Sequence, residues 1–259
     1  MPSLEKTDNF FQNMMENLKK KESEISKEIV HYKDKPLLDD KKKNAISYGA
    51  EVKRKLIHLI SLNIPMWYIF LDKTLILIIL GVLIALSVII DVSSKRIPII
   101  HNVFEFFFGD ILRKHEKKRK KFRLNGGSWL LISAFLTILI FPKFIAVIAL
   151  TILIISDISS ALIGKKFGKT RFFKKSLEGS IAFFLSAGLV VVAFYFIYSA
   201  GLPFLWIGII ASLIAAFFEA ISKNVKIDDN LLVPLSFSTV MYFGEIIALT
   251  YGQPYFNIL

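Results

Sequence analysis

From Leu56 onward the chain alternates between long apolar runs and short, mostly basic connections. The apolar segments cover residues 56–71, 74–90, 128–141, 143–163, 180–199, 202–221 and 231–251. A helix needs about 20 predominantly apolar residues to cross a bilayer, so the pattern predicts an all-α polytopic membrane protein with about seven spans. The third segment ends at Phe141-Pro142-Lys143. Fusing it to the fourth would give a run far longer than a bilayer requires with a proline inside, so two separate helices are expected. Residues 1–50 form a charged tail instead. Within it Phe10, Phe11, Met14, Met15 and Leu18 recur at helical spacing, which predicts a short amphipathic helix. A second interfacial helix is expected over 99–112, where four phenylalanines mix with His101, Glu105 and Asp110 before the basic run 113–121.

Charge adds an orientation to these spans. Lys and Arg number 33 against 21 Asp and Glu, while 54% of residues are hydrophobic and the mean hydropathy is +0.55. With the N-terminus inside, residues 1–55 carry 13 of the bases, 92–127 carry 10, 164–178 carry 6 and 222–230 carry 2. Only Lys73 and Lys143 then lie outside. The excess of bases in cytoplasmic loops predicts a cytosolic N-terminus and an outer C-terminus. A net charge of +12 would suit nucleic acid on a water-soluble domain, but these bases flank hydrophobic spans. Anionic lipid and phosphate are the expected partners, not nucleic acid. The chain has no cysteine, which excludes disulfides, thiol nucleophiles and thiolate metal sites. The charged stretch before Leu56 lacks the apolar core of a secretory signal.

Candidate chemistry gathers at the cytosolic ends of the spans. Asp157 lies within the fourth apolar segment, and an acid inside a membrane is costly unless it meets a cation, a base or a polar cavity. Downstream come Gly164, Lys165, Gly168 and Lys169, then Lys175, Ser176, Leu177, Glu178, Gly179 and Ser180. The glycines permit close backbone approach and positive φ, and the lysines supply charge for phosphates. The string resembles a P-loop but has one residue too few between its glycines and follows a helix, not a strand, which rules that reading out. Glu178 is explained either by the helix dipole or by a metal or ribose contact. Glu219, inside the sixth segment, has no capping role to explain it. Asp228, Asp229 and Asn230 offer more acid and amide than an N-cap needs. Glu51, Arg54, Lys55 and His58 make one polar patch where the chain enters the first span, and Asn125-Gly126-Gly127 forms a tight turn that offers an anion-binding backbone nest.

Taken in order, Glu51-x2-Arg54-Lys55-x2-His58, Asp157-x3-Ala161-x2-Gly164-Lys165-x2-Gly168-Lys169, Lys175-Ser-Leu-Glu-Gly-Ser180, Glu219-Ala220 and Asp229-Asn230-x3-Pro234 resemble the dolichol kinase, phytol kinase and CTP-dependent diacylglycerol kinase family. The likeness runs from residue 51 to about 235, and Ser156 stands where the family often has glycine. It implies a transmembrane kinase domain over 51–259 that uses CTP, or another nucleoside triphosphate, with Mg2+ or another divalent cation to phosphorylate a lipid alcohol: a polyprenol, phytol or geranylgeraniol, or diacylglycerol. On that reading Asp157, His58, Arg54 and Lys55 are catalytic. Gly164, Lys165, Gly168, Lys169, Lys175, Ser176 and Asn125 bind the nucleotide phosphates, and Asp157, Glu178, Glu219 and Asp229 supply metal ligands. Either His58 or Asp157 accepts the proton of the acceptor hydroxyl. The competing functions are a phosphatidate cytidylyltransferase, whose long acidic signature is missing from the sequence, and an anion transporter, which broken helices near mid-membrane would favour but acids clustered toward one side do not.

Overall fold

The computed structural model describes residues 48–97 and 124–256. The amphipathic helix expected near the N-terminus and the interfacial helix expected over 99–112 both lie outside these residues. In chain order the described elements are α1 (Tyr48–Ile60), α2 (Asn63–Phe70), α3 (Lys73–Arg96), α4 (Gly126–Ile140), α5 (Lys143–Phe167), β1 (Arg171–Phe172), β2 (Lys175–Ser176), α6 (Leu177–Ile197), α7 (Leu202–Val225) and α8 (Asp229–Thr250). Among the described residues the architecture is helical, apart from one antiparallel hairpin that pairs Arg171 with Ser176 and Phe172 with Lys175.

Five described helices are long and apolar enough to cross a membrane: α3, α5, α6, α7 and α8. This modifies the expectation of seven single-helix spans. The first expected span is broken at Ser61-Leu62 into α1 and α2. Pro65 lies in the first turn of α2, where its missing N–H costs little, but in a continuous helix it would leave the Ser61 carbonyl without its partner. Here that carbonyl accepts from the Ile64 N–H at 2.9 Å. The third expected span is a helix of only 15 residues, α4.

The central element is α5. Ile145, Ala146, Val147, Ile148, Ala149, Leu150, Ile152, Leu153 and Ile154 are all buried, so the helix is enclosed on every side rather than along one stripe. It packs against α6, α8, α1, α2 and α4. Small residues carry the remaining close contacts, as expected where lipid supplies no hydrophobic drive between helices. Gly208 on α7 lies directly against Val191 on α6, and Gly244 on α8 against Ile207 and the Tyr255 hydroxyl. At the end of the bundle away from the hairpin, the chain after α8 folds inward. The Gly201 N–H donates to the Tyr255 carbonyl at 2.8 Å, and the Phe256 ring meets Phe144 edge-on at 4.4 Å.

The fourth segment extends four residues beyond its expected end at 163, so Gly164, Lys165, Lys166 and Phe167 are the last turn of α5 and not a loop. The connection that follows is short, consisting of Gly168 to Thr170 and then the hairpin.

Candidate active site

The site is built on the face of α5 that carries Asp157, Ser160 and Gly164, residues spaced by three and four and therefore stacked along one side of the helix. The α1 helix brings Lys55 and His58 to Asp157. The Lys55 ammonium pairs with Asp157 Oδ2, and His58 Nε2 lies 3.4 Å from the same oxygen. Lys55 is only 4% exposed, and His58 Nε2 is buried with no hydrogen-bond partner. Arg54 turns back along its own helix to pair with Glu51. Residues 51, 55 and 58 share one face of α1, which explains why a polar patch so close to the apolar run survives burial.

A second cluster meets the first from the opposite side. Lys175, on β2, pairs with Glu219 of α7 and with Asp229 Oδ2 at 2.9 Å. Burial opposes the charge on Lys175, but Asp229 and Glu219 outweigh it and hold the ammonium well above the ordinary lysine range. Ser160 Oγ donates to Glu219 Oε1 at 3.0 Å, which fixes the carboxylate against α5. Asp228 takes the N-cap role, accepting from the Asn230 N–H at 3.1 Å, so Asp229 is available to face the site. Asp157, Glu219 and Asp229 each place one carboxylate oxygen within 4.8 Å of the others. Glu219 is 2% exposed and its Oε2 has no hydrogen-bond partner. Three oxygen donors on separate rigid helices, one of them buried and unsatisfied, fit a hard divalent cation such as Mg2+.

The glycines serve close packing. A Cβ on Gly164 would sit 2.7 Å from Ser176 Oγ and 3.2 Å from the Gly179 Cα. One on Gly168 would run into the Gly164 carbonyl and come within 2.7 Å of the Ser176 Cβ. Gly168 has φ −63°, and among the described glycines only Gly252 has positive φ. Of the two properties that glycine permits at Gly164 and Gly168, the fold uses the close backbone approach and not positive φ. Ser176 is wedged between α5 and α6 as the N-cap of α6, its Oγ accepting from the Gly179 N–H at 3.3 Å and lying 3.4 Å from the Gly164 carbonyl. Glu178 is not among the three converging acids. Its Oε1 accepts from the N–H groups of Lys169 and Thr170, at 3.0 and 2.9 Å, and so ties down the turn that leaves α5. Lys165, in the last turn of α5, and Lys169, just after the helix, are both exposed.

Asn125 is placed elsewhere. Its backbone N–H donates to Asp91 Oδ2 at 2.9 Å and its side-chain amide to Oδ1 at 2.5 Å, while Ser128 Oγ donates to Oδ2 at 2.7 Å. Asp91, 3% exposed near the end of α3, thus anchors the start of α4. Sequence reasoning misses Asp91 because it follows the apolar run 74–90 directly and reads as an interfacial charge. It misses Ser160 as well, for which the spacing of three from Asp157 is the available signal.

Similarity to known proteins extends over much of the chain. The protein is 35% identical over 190 residues to Uncharacterized protein RP860 of Rickettsia prowazekii, covering 73% of this chain and 92% of that one. It is 31% identical over 187 residues to Uncharacterized protein MJ1137 of Methanocaldococcus jannaschii, covering 71% and 88%. A more distant likeness, 27% identity over 164 residues, covers 59% of this chain and 73% of CTP-dependent diacylglycerol kinase 1 of Schizosaccharomyces pombe. No protein-family model matches the chain, and no solved structure matches it.

Proposed function

The chain belongs to the family that includes the Rickettsia and Methanocaldococcus proteins, and from that premise we propose that it is an integral membrane kinase that transfers the γ-phosphoryl group of CTP to the hydroxyl of a membrane lipid alcohol at the cytosolic face. The observation that carries the reading is the convergence of Asp157, Glu219 and Asp229, from three membrane helices, with Lys55 and Lys175 against them. Phosphoryl transfer asks a protein mainly for positioning and for compensation of charge on the phosphate oxygens, and this site has the groups for both. The likeness to a CTP-dependent diacylglycerol kinase supports CTP as donor and a diacylglycerol-like alcohol as acceptor.

In this mechanism Asp157, Glu219 and Asp229 would hold Mg2+, which would screen the charge of the triphosphate. Lys175 and Lys55 donate to phosphate oxygens, and the exposed Lys165 and Lys169 draw the nucleotide in. The acceptor oxygen forms its bond to the γ-phosphorus as the bond between that phosphorus and the β,γ-bridging oxygen breaks, leaving CDP. His58 Nε2, otherwise without a hydrogen-bond partner, takes the hydroxyl proton. The acceptor's hydrocarbon stays in the bilayer and only its head reaches the acids.

Replacing Asp157 with Asn removes one anionic ligand and leaves Lys55 without its counter-charge. Transfer of γ-label from CTP to lipid should fall by about 100-fold or more, within the range seen when a charge-stabilising group is lost. Retention of more than a tenth of the wild-type rate by a variant that purifies as a folded protein would count against this assignment of Asp157.

A further inference from the structure

Three carboxylates within 4.8 Å of one another, one of them 2% exposed, repel strongly in surroundings with little water. Two ammonium groups compensate them. Lys55 sits on Asp157 Oδ2, and Lys175 bridges Glu219 Oε1 and Asp229 Oδ2. The two lysines therefore engage oxygens of the same three carboxylates that a divalent cation would take. A dication entering alone would compete with both ammoniums for these carboxylates and draw anionic partners away from them, and a buried charge that loses its partner is costly. A dication entering with a triphosphate avoids that cost, because the phosphate oxygens offer those ammoniums new partners within reach of a flexible four-carbon stem.

We propose that Lys55 and Lys175 are exchangeable counter-ions, which neutralise the acid cluster in the resting protein and pass to the nucleotide phosphates when metal and nucleotide arrive together. This rests on the reading above that the three acids form the metal site. Lysine suits such an exchange because it is a compact point charge whose three donors rotate freely, whereas the planar fork of arginine would lock onto a carboxylate. The consequence is reciprocal coupling, in which nucleotide tightens the metal and metal tightens the nucleotide by the same factor. It also keeps a bare dication from occupying the site without the substrate that makes it useful.

Two measurements on the full chain in detergent test this without reference to turnover. Mn2+ binding is titrated by electron paramagnetic resonance on the wild type and on Lys175→Met, each with and without CTP. Lysine exposure is followed by brief amine-directed labelling and mass spectrometry in the wild type alone, with Mg2+, and with Mg2+ and CTP. Lys175→Met should bind Mn2+ without nucleotide about tenfold more tightly than the wild type and gain less from CTP, in line with typical coupling of roughly 5- to 150-fold. In the wild type, labelling of Lys175 should rise several-fold with saturating Mg2+ and fall again when CTP is added. If the wild type binds Mn2+ but Lys175 labelling is indifferent to Mg2+, the lysines are fixed struts and the exchange is wrong while the metal site stands. If neither form binds Mn2+ with or without CTP, the metal site falls and the exchange with it. The wild-type labelling series needs no variant, so a misfolded Lys175→Met would not rescue the proposal.

Discussion

Asp91 accepts three hydrogen bonds from Asn125 and Ser128 while almost fully buried, so its removal strands the buried Ser128 hydroxyl and takes the acceptor from both N–H donors of the half-buried Asn125. Asp91→Ala should cost about 1–3 kcal/mol, the usual penalty for leaving buried partners unsatisfied, read as a lower midpoint in thermal unfolding followed by tryptophan fluorescence. Asp91→Asn, which keeps two acceptor lone pairs, should recover part of it. Asp157 and Glu219 are visible in the sequence because an acid inside an apolar run has no cheap explanation, and Asp229 because the acids before α8 exceed what an N-cap needs. Their grouping is not visible. Nothing local says that Lys175 reaches both Glu219 and Asp229, 44 and 54 positions away, or that Lys55 reaches across 102 positions to Asp157. Glu178 shows the opposite difficulty, since the chemistry of a carboxylate in a first helical turn is the same whether it holds a metal or the two N–H groups it accepts here.

At the level of elements, the site depends on how closely α5 and α6 approach around Ser176. Gly168 tolerates no side chain, because a Cβ would overlap the Gly164 carbonyl, which is backbone and cannot swing away. Gly168→Ala should therefore destabilise the protein by about 1–3 kcal/mol, the scale of overpacking, and lower activity by displacing Lys175. Gly126→Ala, with open space around it, is the matched control and should change neither. The starts of α3 to α8 are legible to within a few residues because hydropathy marks the apolar runs, with α6 and α8 beginning three and two residues before the expected 180 and 231, whereas α3 runs on past the expected 90 to Arg96. The break between α1 and α2 is hidden by its own hydrophobicity: residues 56–71 are apolar on both sides of it, and only Pro65 marks it. The extension of α5 through Gly164 is hidden for a related reason. Glycine next to lysines reads as loop, but packing against Gly179 makes a helical Gly164 favourable.

For the whole molecule, three of the five long apolar helices, α5, α7 and α8, carry the acids of the polar cluster, and the positive-inside bias expects the end that holds it to face the cytosol. The natural absence of cysteine makes this testable by single-cysteine labelling. In sealed inside-out vesicles, Lys169→Cys should react with an impermeant maleimide and Lys73→Cys should not; the reverse pattern would place the acids on the outer side, away from cytosolic CTP. The central claim is that the γ-phosphoryl group of CTP ends on a lipid hydroxyl. The measurement that tests it most directly offers purified protein, Mg2+ and a lipid alcohol together with CTP labelled either at the γ-phosphorus or at the α-phosphorus. Label from the γ position should appear in the lipid, with α-label remaining in CDP. Label from the α position entering a phosphatidate, with release of pyrophosphate, would contradict the kinase and make the protein a cytidylyltransferase.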